Sequence, residues 1–399
     1  MRTQLEPLLE FAARSRVPDG FGYQGADGEV LADRPVETWI SARMTHVFGL
    51  AQLLGHPGAA ELAEHGVAAL ARGPLHDAEH GGWRASVEDD TKAAYVHAFV
   101  VLAASTATTA GVPGGRELLE EALRTWEEHF WDDAEGLARE SWDGGWTTTE
   151  DYRGVNANMH GVESTLAAAD ALEPTDPDRA EVLRGRALRT LERVVHGWAR
   201  DGGWRLPEHF TSDWTPLPEF NRDKPADPFR PYGVTIGHLF EWSRLALHAD
   251  AVLGDRAPAW LRADAEGLFA FGAEKGWAAD GHDGFLYTMD WDDRPVVTAR
   301  MHWVLCEAIA AAVVLGAVTG YAEAPALQQR WEEHGDALFL DPAVGSWHHE
   351  LTPEGEVGTG TWVGKPDAYH LAQMLMVEDR PVRGSVAATL LAGGASAGS

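Results

Sequence analysis

A glycine–aromatic turn motif recurs along this chain and limits the folds open to it. Three full copies and three looser ones occur: Gly81-Gly82-Trp83, Gly144-Gly145-Trp146, Gly202-Gly203-Trp204, Gly20-Phe21-Gly22-Tyr23, Asp283-Gly284-Phe285 and Gly345-Ser346-Trp347. Their aromatic residues lie 62, 63, 58, 81 and 62 positions apart. This period is longer than that of the usual solenoid repeats and fits two helices plus a long loop. Six such hairpins favour a closed ring, so we predict an all-α (α/α)6 toroid.

The segments between the motifs have helical hydrophobic spacing. Helices are predicted over residues 1–14, 37–54, 61–71, 92–104, 115–130, 156–171, 178–198, 233–247, 258–272, 298–318, 324–339 and 367–376. Trp303 to Val318 is apolar nearly all round, whereas Gly115 to Phe130 is strongly amphipathic. This division is typical of a double ring with buried inner helices and half-exposed outer ones. A site is then expected where loops and inner-helix ends meet, edged by the proline-rich loop from Leu217 to Pro231.

The repeat runs without a break in composition, which favours one catalytic domain over residues 1–392. The last seven residues, 393–399, contain only Gly, Ala and Ser, so we predict a disordered tail there.

Charge and apolar content limit the partners. The formal net charge is −30, with 62 acidic against 32 basic residues, and such a surface repels nucleic acid and anionic lipid. The longest apolar run, Ala308 to Val318, is shorter than the roughly 20 residues that a membrane span needs. Cys306, the single cysteine, is predicted to lie in the core. We expect a cytoplasmic protein, a monomer or weak homo-oligomer, that binds neither nucleic acid nor membrane.

Three local motifs suggest sites that their context argues against. Gly20 to Gly25 matches a dinucleotide fingerprint, but no strand precedes it and no helix opens from it. His76-Asp77-Ala78-Glu79-His80 matches a zinc-protease pattern, yet Pro74 and Gly81 place it in a loop. His348-His349 lacks a third ligand at usable spacing. No metal site is predicted.

Polar residues near the starts of otherwise apolar helices are more informative, because burying them without partners is costly. The groups are Arg43, Asn156 with His160, His238 with Glu241, Arg300 with Glu307, and His370. His238 and Glu241 lie three positions apart, which would let the carboxylate orient the imidazole. Histidines with ordinary pKa values near 6.5 can act as acid and base at neutral pH. Aromatic residues would supply flat faces for a sugar ring: Trp39, Tyr95, Trp303 and Trp362.

These residues belong to longer motifs that resemble those of the N-acylglucosamine 2-epimerase superfamily, in its aldose–ketose isomerase branch. The motifs are Ser41-Ala42-Arg43-Met44-Thr45-His46-Val47-Phe48, Asn156-x-Asn158-Met159-His160, Gly237-His238-Leu239-x-Glu241-Trp242 and Trp362-x-Gly364-Lys365-Pro366-Asp367-x-Tyr369-His370. The resemblance covers nearly the whole chain, and the stretch from Lys365 to His370 is its most specific part.

The resemblance implies a mechanism without metal or cofactor. His370 would move a proton between C1 and C2 through a cis-enediolate. His238, paired with Glu241, would be the other acid/base, opening the ring or shuttling a hydroxyl proton. Glu307 would hold substrate hydroxyls, and Arg43 would stabilise the enolate oxygen. The implied substrate-binding residues are Tyr95, Asn156, His160, Trp303 and Trp362.

The implied reaction is isomerisation of a free monosaccharide, D-mannose to D-fructose, with D-lyxose to D-xylulose as a side activity. Isomerisation of sulfoquinovose and sugar 2-epimerisation remain alternatives within the same chemistry. An (α/α)6 glycoside hydrolase would want two carboxylic acids flanking the bond, whereas histidines mark these helices. A non-catalytic sugar-binding module would not require converging histidines and carboxylates.

Overall fold

The computed structural model describes residues 2–377 and 380–396. Within them, an inner ring of parallel helices closes on itself, since each helix packs against the next and the last packs against the first. The inner helices are α2 (Thr38–Leu53), α4 (Ala94–Thr109), α6 (Val155–Leu172), α8 (Ile236–Leu253), α10 (His302–Thr319) and α12 (Tyr369–Val377).

An outer ring surrounds them, and each outer helix packs mainly on one inner helix. The outer helices are α3 (Ala59–Arg72), α5 (Gly115–Thr125), α7 (Pro177–Leu191), α9 (Trp260–Gly276), α11 (Ala324–His334) and, beside α12, the N-terminal helix α1 (Leu5–Ala13). π-Helical turns prolong α5, α7 and α11, at Trp126–Phe130, Glu192–Ala199 and Gly335–Phe339, and short 3-10 turns lie at Arg2–Gln4 and Gly254–Arg256. The inner helix α2 is buried at almost every position, while α5 buries one face. The predicted (α/α)6 toroid is confirmed, with its sixth hairpin built from both chain ends.

The last helix, α13 (Val386–Ser396), crosses α2, α4, α6 and α12 and covers the end of the ring towards their carboxyl-terminal halves. It includes residues 393–396 of the predicted tail, and residues 397–399 lie outside the described residues.

Short strands join the loops to the starts of the inner helices. They are β1 (Arg16–Val17), β2 (Gly20–Phe21), β3 (Lys92–Ala93), β4 (Trp131–Asp132), β5 (Leu137–Ala138), β6 (Ser141–Trp142), β7 (Arg153–Gly154), β8 (His209–Phe210), β9 (Val234–Thr235), β10 (Thr288–Met289), β11 (Pro295–Val297), β12 (Arg300–Met301), β13 (Leu340–Asp341), β14 (Ser346–Trp347) and β15 (Glu350–Leu351). The antiparallel pairs are β1–β2, β3–β6, β4–β5, β7–β8, β9–β10, β10–β11, β12–β15 and β13–β14.

The strands β3, β7, β9 and β12 each lead directly into an inner helix and pair with a loop further along the chain. The sequence places three of these helices too early, at residues 92, 233 and 298, because a strand of two residues is too short to show an alternating pattern. These pairings fix the first turn of each helix, where the polar residues lie.

The recurring glycine–aromatic motif falls on two different turns. Gly81 and Gly82 have positive φ (77° and 70°), and the indole of Trp83 is fully buried and donates to a carbonyl oxygen of α3 at 2.8 Å. Trp146 lies in a later turn of its loop, is half-buried and itself has a φ of 59°. Trp214 occupies the matching turn of the next loop, with a φ of 64°. The period therefore predicts the fold correctly although its copies are not all equivalent.

Among the described helices, α10 alone is long and apolar enough to cross a bilayer, with a mean hydropathy of 1.8. Most of it is buried inside the protein, where it packs between α8 and α12.

Candidate active site

A cavity opens at the amino-terminal ends of the inner helices, where the sequence predicts a site. Its volume is about 580 Å³ with the open mouth included. It is lined by Arg43, Tyr95, Asn156, His160, Pro228, Phe229, Pro231, His238, Glu241, Tyr287, His302, Trp303, His349, Trp362, Pro366, Asp367 and His370. Every inner helix contributes a side chain from its first turns, so the positive ends of the helix dipoles surround the cavity and favour negative charge there.

His370, at the start of α12, is held by a carboxylate behind it. Its Nδ1 lies 2.8 Å from Glu307 Oε1, and the other oxygen of Glu307 accepts from Arg244 Nε at 2.9 Å. Since Nδ1–H donates to Glu307, Nε2 is the nitrogen presented to the cavity. Burial lowers the pKa of His370, which Glu307 opposes, so the imidazole is neutral and able to accept a proton. Glu307 lies behind His370 rather than in the cavity wall.

His238, on α8, has a different partner from the one the sequence predicts. Its Nδ1 lies 2.9 Å from Oε1 of Glu208, a buried residue of the loop just before β8. The predicted pairing with Glu241 is wrong. The three-residue spacing brings the two side chains to one face of the helix, but the carboxylate of Glu241 turns towards Arg244 and His160 instead.

Glu241 is buried among other charged groups. Its Oε1 lies 3.6 Å from His160 Nδ1 and 3.8 Å from Arg244 Nη2, and it has no hydrogen-bond partner. Burial and the nearby Glu307 raise the pKa of Glu241 well above its ordinary value. The raised pKa favours the protonated form of this carboxyl group, which can donate a hydrogen bond to a ligand in the cavity.

His160, on α6, forms a third imidazole–carboxylate pair. Its Nδ1 lies 3.2 Å from Glu163 Oε2, so Nε2 again faces the cavity. The same carboxylate accepts from Gln373 Nε2 at 3.1 Å and from the Tyr369 hydroxyl. Burial lowers the pKa of His160 to about 4, and Glu163 opposes this fall.

Arg43, on α2, supplies positive charge to the cavity wall. Its Nη1 donates to Asp367 at 3.0 Å and its Nη2 to the Tyr95 hydroxyl at 2.8 Å. The guanidinium carbon lies 4.3 Å from the centre of the Phe99 ring, which adds a cation–π contact. Burial alone would lower the pKa of Arg43, but Tyr95 and Asp367 together raise it above its ordinary value. This fixed cation suits stabilisation of a developing oxyanion.

Aromatic side chains form the remaining walls. The Trp303 ring packs against two catalytic candidates, with its centre 5.3 Å from that of His238 and 5.6 Å from that of His370. Trp362 packs 5.6 Å from Phe229 at the mouth. Trp39 lines an adjoining cavity of about 1200 Å³ rather than this one. The flat faces suit the C–H surfaces of a sugar ring.

The proline-rich loop edges the cavity, as predicted, through Pro228, Phe229 and Pro231. Asn156 Nδ2 lies 3.5 Å from the Phe229 carbonyl oxygen, while its buried Oδ1 has no partner. Arg230 anchors the loop through two hydrogen bonds to Glu150, at 2.6 and 2.8 Å.

Some predictions placed residues wrongly or missed them. Arg300 faces away from the cavity and pairs with Asp280, its Nη2 2.7 Å from Oδ1. His349 is part of the cavity wall and stacks on His302, with ring centres 3.7 Å apart, although the sequence gives His349 no role. Sequence reasoning also missed Glu163, Glu208, Arg244 and Tyr369. Glu163 was open to detection, because it lies one helical turn after His160.

Among the residues that the structure describes, two sets of side chains have atoms close enough to approach a single metal ion: His160 with Glu163 and Glu241, and Glu241 with Glu307 and His370. In each set the imidazole Nδ1–H group already donates to a carboxylate oxygen of the same set. The Arg244 guanidinium lies between them, so a metal cation would have to displace an existing positive charge.

An (α/α)6 toroid whose aromatic cavity holds several imidazole–carboxylate pairs defines a class of carbohydrate-active proton-transfer enzymes. The sequence profile of the N-acylglucosamine 2-epimerase (GlcNAc 2-epimerase) family matches residues 20–374. The chain belongs to this family.

Individual relatives are similar over nearly their full lengths. A D-mannose isomerase of Thermobifida fusca is 49% identical over 391 residues, which cover 96% of this chain and 94% of that protein. A D-mannose isomerase of Pseudomonas cannabina pv. alisalensis is 44% identical over 390 residues, with coverages of 96% and 92%. A solved structure of a D-mannose isomerase superposes with a TM-score of 0.83 at 26% identity, covering 94% of this chain and 95% of that one.

Proposed function

We propose that this protein interconverts D-mannose and D-fructose through a cis-enediolate. The observation that carries the proposal is the presentation of two imidazoles, His238 and His370, to one cavity beside Arg43. The similarity to D-mannose isomerases over 96% of the chain supports the choice of sugar. D-Lyxose and D-xylulose lack the terminal carbon of D-mannose and D-fructose but are otherwise alike, and we propose them as a second substrate pair.

Each residue has a proposed role in this reaction. His238, oriented by Glu208, opens the sugar ring by moving the proton of the anomeric hydroxyl to the ring oxygen. His370, oriented by Glu307, takes the C2 proton and returns it to C1. Arg43 stabilises the charge that develops on O1, an electrostatic contribution expected to be large.

Substrate binding is proposed for the cavity walls. Glu241, Tyr95, Asn156 and His160 would contact sugar hydroxyls, and Trp303 and Trp362 would pack on C–H faces. The position of Glu307 behind His370 supports an orienting role for it rather than contact with substrate.

Two neighbouring activities are less well supported. A sulfonate would need an unpaired cation, whereas Arg43, the one permanently charged cation among the described residues of the cavity wall, is ion-paired with Asp367. A 2-epimerase would need protonation of C2 from both faces, for which His238 and His370 would serve, but the similarity to D-mannose isomerases favours isomerisation.

We propose that the reaction needs no metal or cofactor, because the chain's own acids, bases and guanidinium can supply each step. We also propose that the protein acts in the cytoplasm, where its single buried thiol stays reduced, and as a monomer or weak homo-oligomer. Sedimentation at micromolar concentration tests the oligomeric state.

Proton NMR of chelator-treated protein with D-mannose in deuterated water tests the function. Fructose formed without added metal is the expected result. Deuterated glucose appearing before fructose would indicate the epimerase instead. If no reaction occurs with mannose, the proposal is wrong, and sulfoquinovose and N-acylglucosamine are the next substrates to try.

A further inference from the structure

Isomerisation of an aldose to a ketose requires more than one kind of proton transfer. The ring opens when a proton leaves the anomeric hydroxyl and reaches the ring oxygen. One carbon-bound proton then moves from C2 to C1. A hydroxyl proton must also move from O2 to O1, because O2 becomes the carbonyl oxygen and O1 becomes a hydroxyl.

Among the described residues of the cavity, three histidines have a carboxylate on Nδ1: His160, His238 and His370. The proposed function uses His238 for ring opening and His370 for the carbon-bound proton. The pair of His160 and Glu163 is then left to transfer the hydroxyl proton from O2 to O1.

We infer that His160 carries the hydroxyl proton from O2 to O1, and that Glu163 is the positioning residue which holds it in the tautomer with a bare Nε2. This inference rests on the proposed isomerase function. It assigns separate groups to the oxygen-bound and the carbon-bound proton.

The surroundings of His160 support a role at the oxygens. Its ring lies 5.3 Å from that of Tyr95, and the hydroxyl of Tyr95 accepts from Arg43, the residue proposed to stabilise the oxyanion. His238 and His370 both pack against Trp303 instead, with ring centres 5.3 and 5.6 Å from it. The Tyr95 side chain therefore links His160 directly to the guanidinium of Arg43.

The surroundings of Glu163 leave it little freedom. One oxygen accepts from Gln373 Nε2 at 3.1 Å, and the other accepts from His160 Nδ1 at 3.2 Å and from the Tyr369 hydroxyl. These donors come from α6 and α12, so Glu163 connects His160 to the helix that carries His370. Although burial opposes it, the hydrogen bond from His160 lowers the pKa of Glu163, which keeps the carboxylate charged.

The proposed step balances without any other reactant. His370 takes the proton from C2, and the electron pair of that bond forms C1=C2 while the C1 carbonyl becomes O1⁻ beside Arg43. Nε2 of His160 takes the proton of the O2 hydroxyl and releases it to O1. The electron pair on O2 then forms the C2 carbonyl, and C1 recovers the proton from His370.

Glu163→Gln tests the inference, because the amide keeps the size and an acceptor oxygen but removes the charge. We expect kcat for mannose to fall about 100-fold, within the usual range for a general acid–base contribution, while KM stays within about threefold. Transfer of the hydroxyl proton should then limit the rate. The primary isotope effect of deuterium at C2 should fall towards one, and the solvent isotope effect should rise.

Glu121→Gln is the matched control, since Glu121 lies 2.8 Å from His76 Nε2 in a similar pair outside the cavity. It should leave both isotope effects unchanged. If Glu163→Gln keeps near-normal turnover, or loses turnover with a large primary isotope effect, the inference is wrong. His160→Gln provides a second test if the first variant fails to fold, with the same expected isotope effects. A wild-type protein that forms no ketose would instead contradict the proposed function itself.

Discussion

The two ends of the helical ring contain histidines in contrasting surroundings. At the open end, His160, His238 and His370 each have a carboxylate on Nδ1 and face the cavity with Nε2. Towards the end covered by α13, His46 and His248 have neutral partners. Their Nδ1 atoms lie 2.7 Å from the Thr106 hydroxyl and 2.6 Å from the Arg383 carbonyl oxygen.

The Nε2 atoms of His46 and His248 have no hydrogen-bond partner within the described part of the chain, and both side chains line a smaller cavity of about 310 Å³ beneath α13. Burial lowers the pKa of each to about 4, and the positive charge of Arg244 lies nearby. A polar residue on an inner helix is therefore not enough to mark a catalytic group. A carboxylate behind the imidazole and an open cavity in front of it distinguish the two sets.

The largest difference in turnover is expected when one histidine at each end is replaced by asparagine. His370→Asn should lower kcat by about 10²–10⁴, because it removes the proposed base for the carbon-bound proton. His248→Asn should retain most turnover and change only thermal stability. Steady-state kinetics with mannose, together with thermal unfolding of both variants, measures the difference.

Equal losses of turnover in the two variants would contradict the distinction between the ends. Normal turnover of His370→Asn would contradict the proposed mechanism.

Arg244 lies between the two ends and tests whether they are coupled. It donates to Glu307 on the catalytic side, and its side chain also lines the cavity beneath α13. Arg244→Met should reduce the free energy of unfolding by about 3–5 kcal/mol, because it leaves Glu307 buried without its cation. Denaturant unfolding measures the change, and the double variant Arg244→Met/Glu307→Gln should recover part of it.

A smaller effect is expected at Glu140, which shows what a buried carboxylate does when, among the described residues, no cation lies as close to it as Arg244 lies to Glu307. Glu140 is buried, and its nearest cation, Arg230 Nη2, is 4.0 Å away. Burial raises the pKa of Glu140 from 4.5 to about 7, whereas Arg244 lowers the pKa of Glu307 despite burial. Between pH about 4.5 and 7, Glu140 therefore keeps its proton in the folded protein, whereas the unfolded chain loses it. The stability that protonated Glu140 contributes is fully present below pH about 4.5 and is lost as the pH rises through about 7.

Glu140→Gln should therefore be more stable than the wild type at pH 8 by about 1–3 kcal/mol, and the advantage should vanish by pH 4. Denaturant unfolding at the two pH values checks it. A pH-independent difference would mean that Glu140 does not titrate in this range.

The smallest effect is expected from metal removal. Prolonged treatment with a chelator should leave kcat unchanged, because Arg244 already supplies the positive charge beside Glu307 and Glu241. Elemental analysis before and after treatment provides the control. Loss of activity that returns with one divalent cation would contradict the metal-free proposal.

The sequence predicts the fold better than it predicts which carboxylate pairs with each histidine of the site. A period near 60 residues and apolar inner helices are local features, and they predict the toroid. Helical spacing likewise places Arg43, His160, His238 and His370 near the starts of inner helices. It does not give the partner of His238, because Glu208 lies 30 residues earlier in a loop whose path depends on the pairing of β7 with β8.

The same limit explains the two kinds of tryptophan turn. Trp83 and Trp146 follow the same two glycines, yet one indole fills the core and the other lies half-buried in a later turn. These loops contain several positions where the backbone adopts positive φ, and three letters of sequence do not show which of them the motif occupies.

The assembly of the cavity from every inner helix has a consequence for protein synthesis. Arg43 leaves the ribosome early, but His370 is the second residue of α12 and follows nearly all of the chain. A nascent chain that has folded its first five hairpins still lacks the base proposed to act on carbon. Catalysis should therefore begin only after the C-terminal segment docks between α10 and α2, so that recovery of activity on refolding reports closure of the ring.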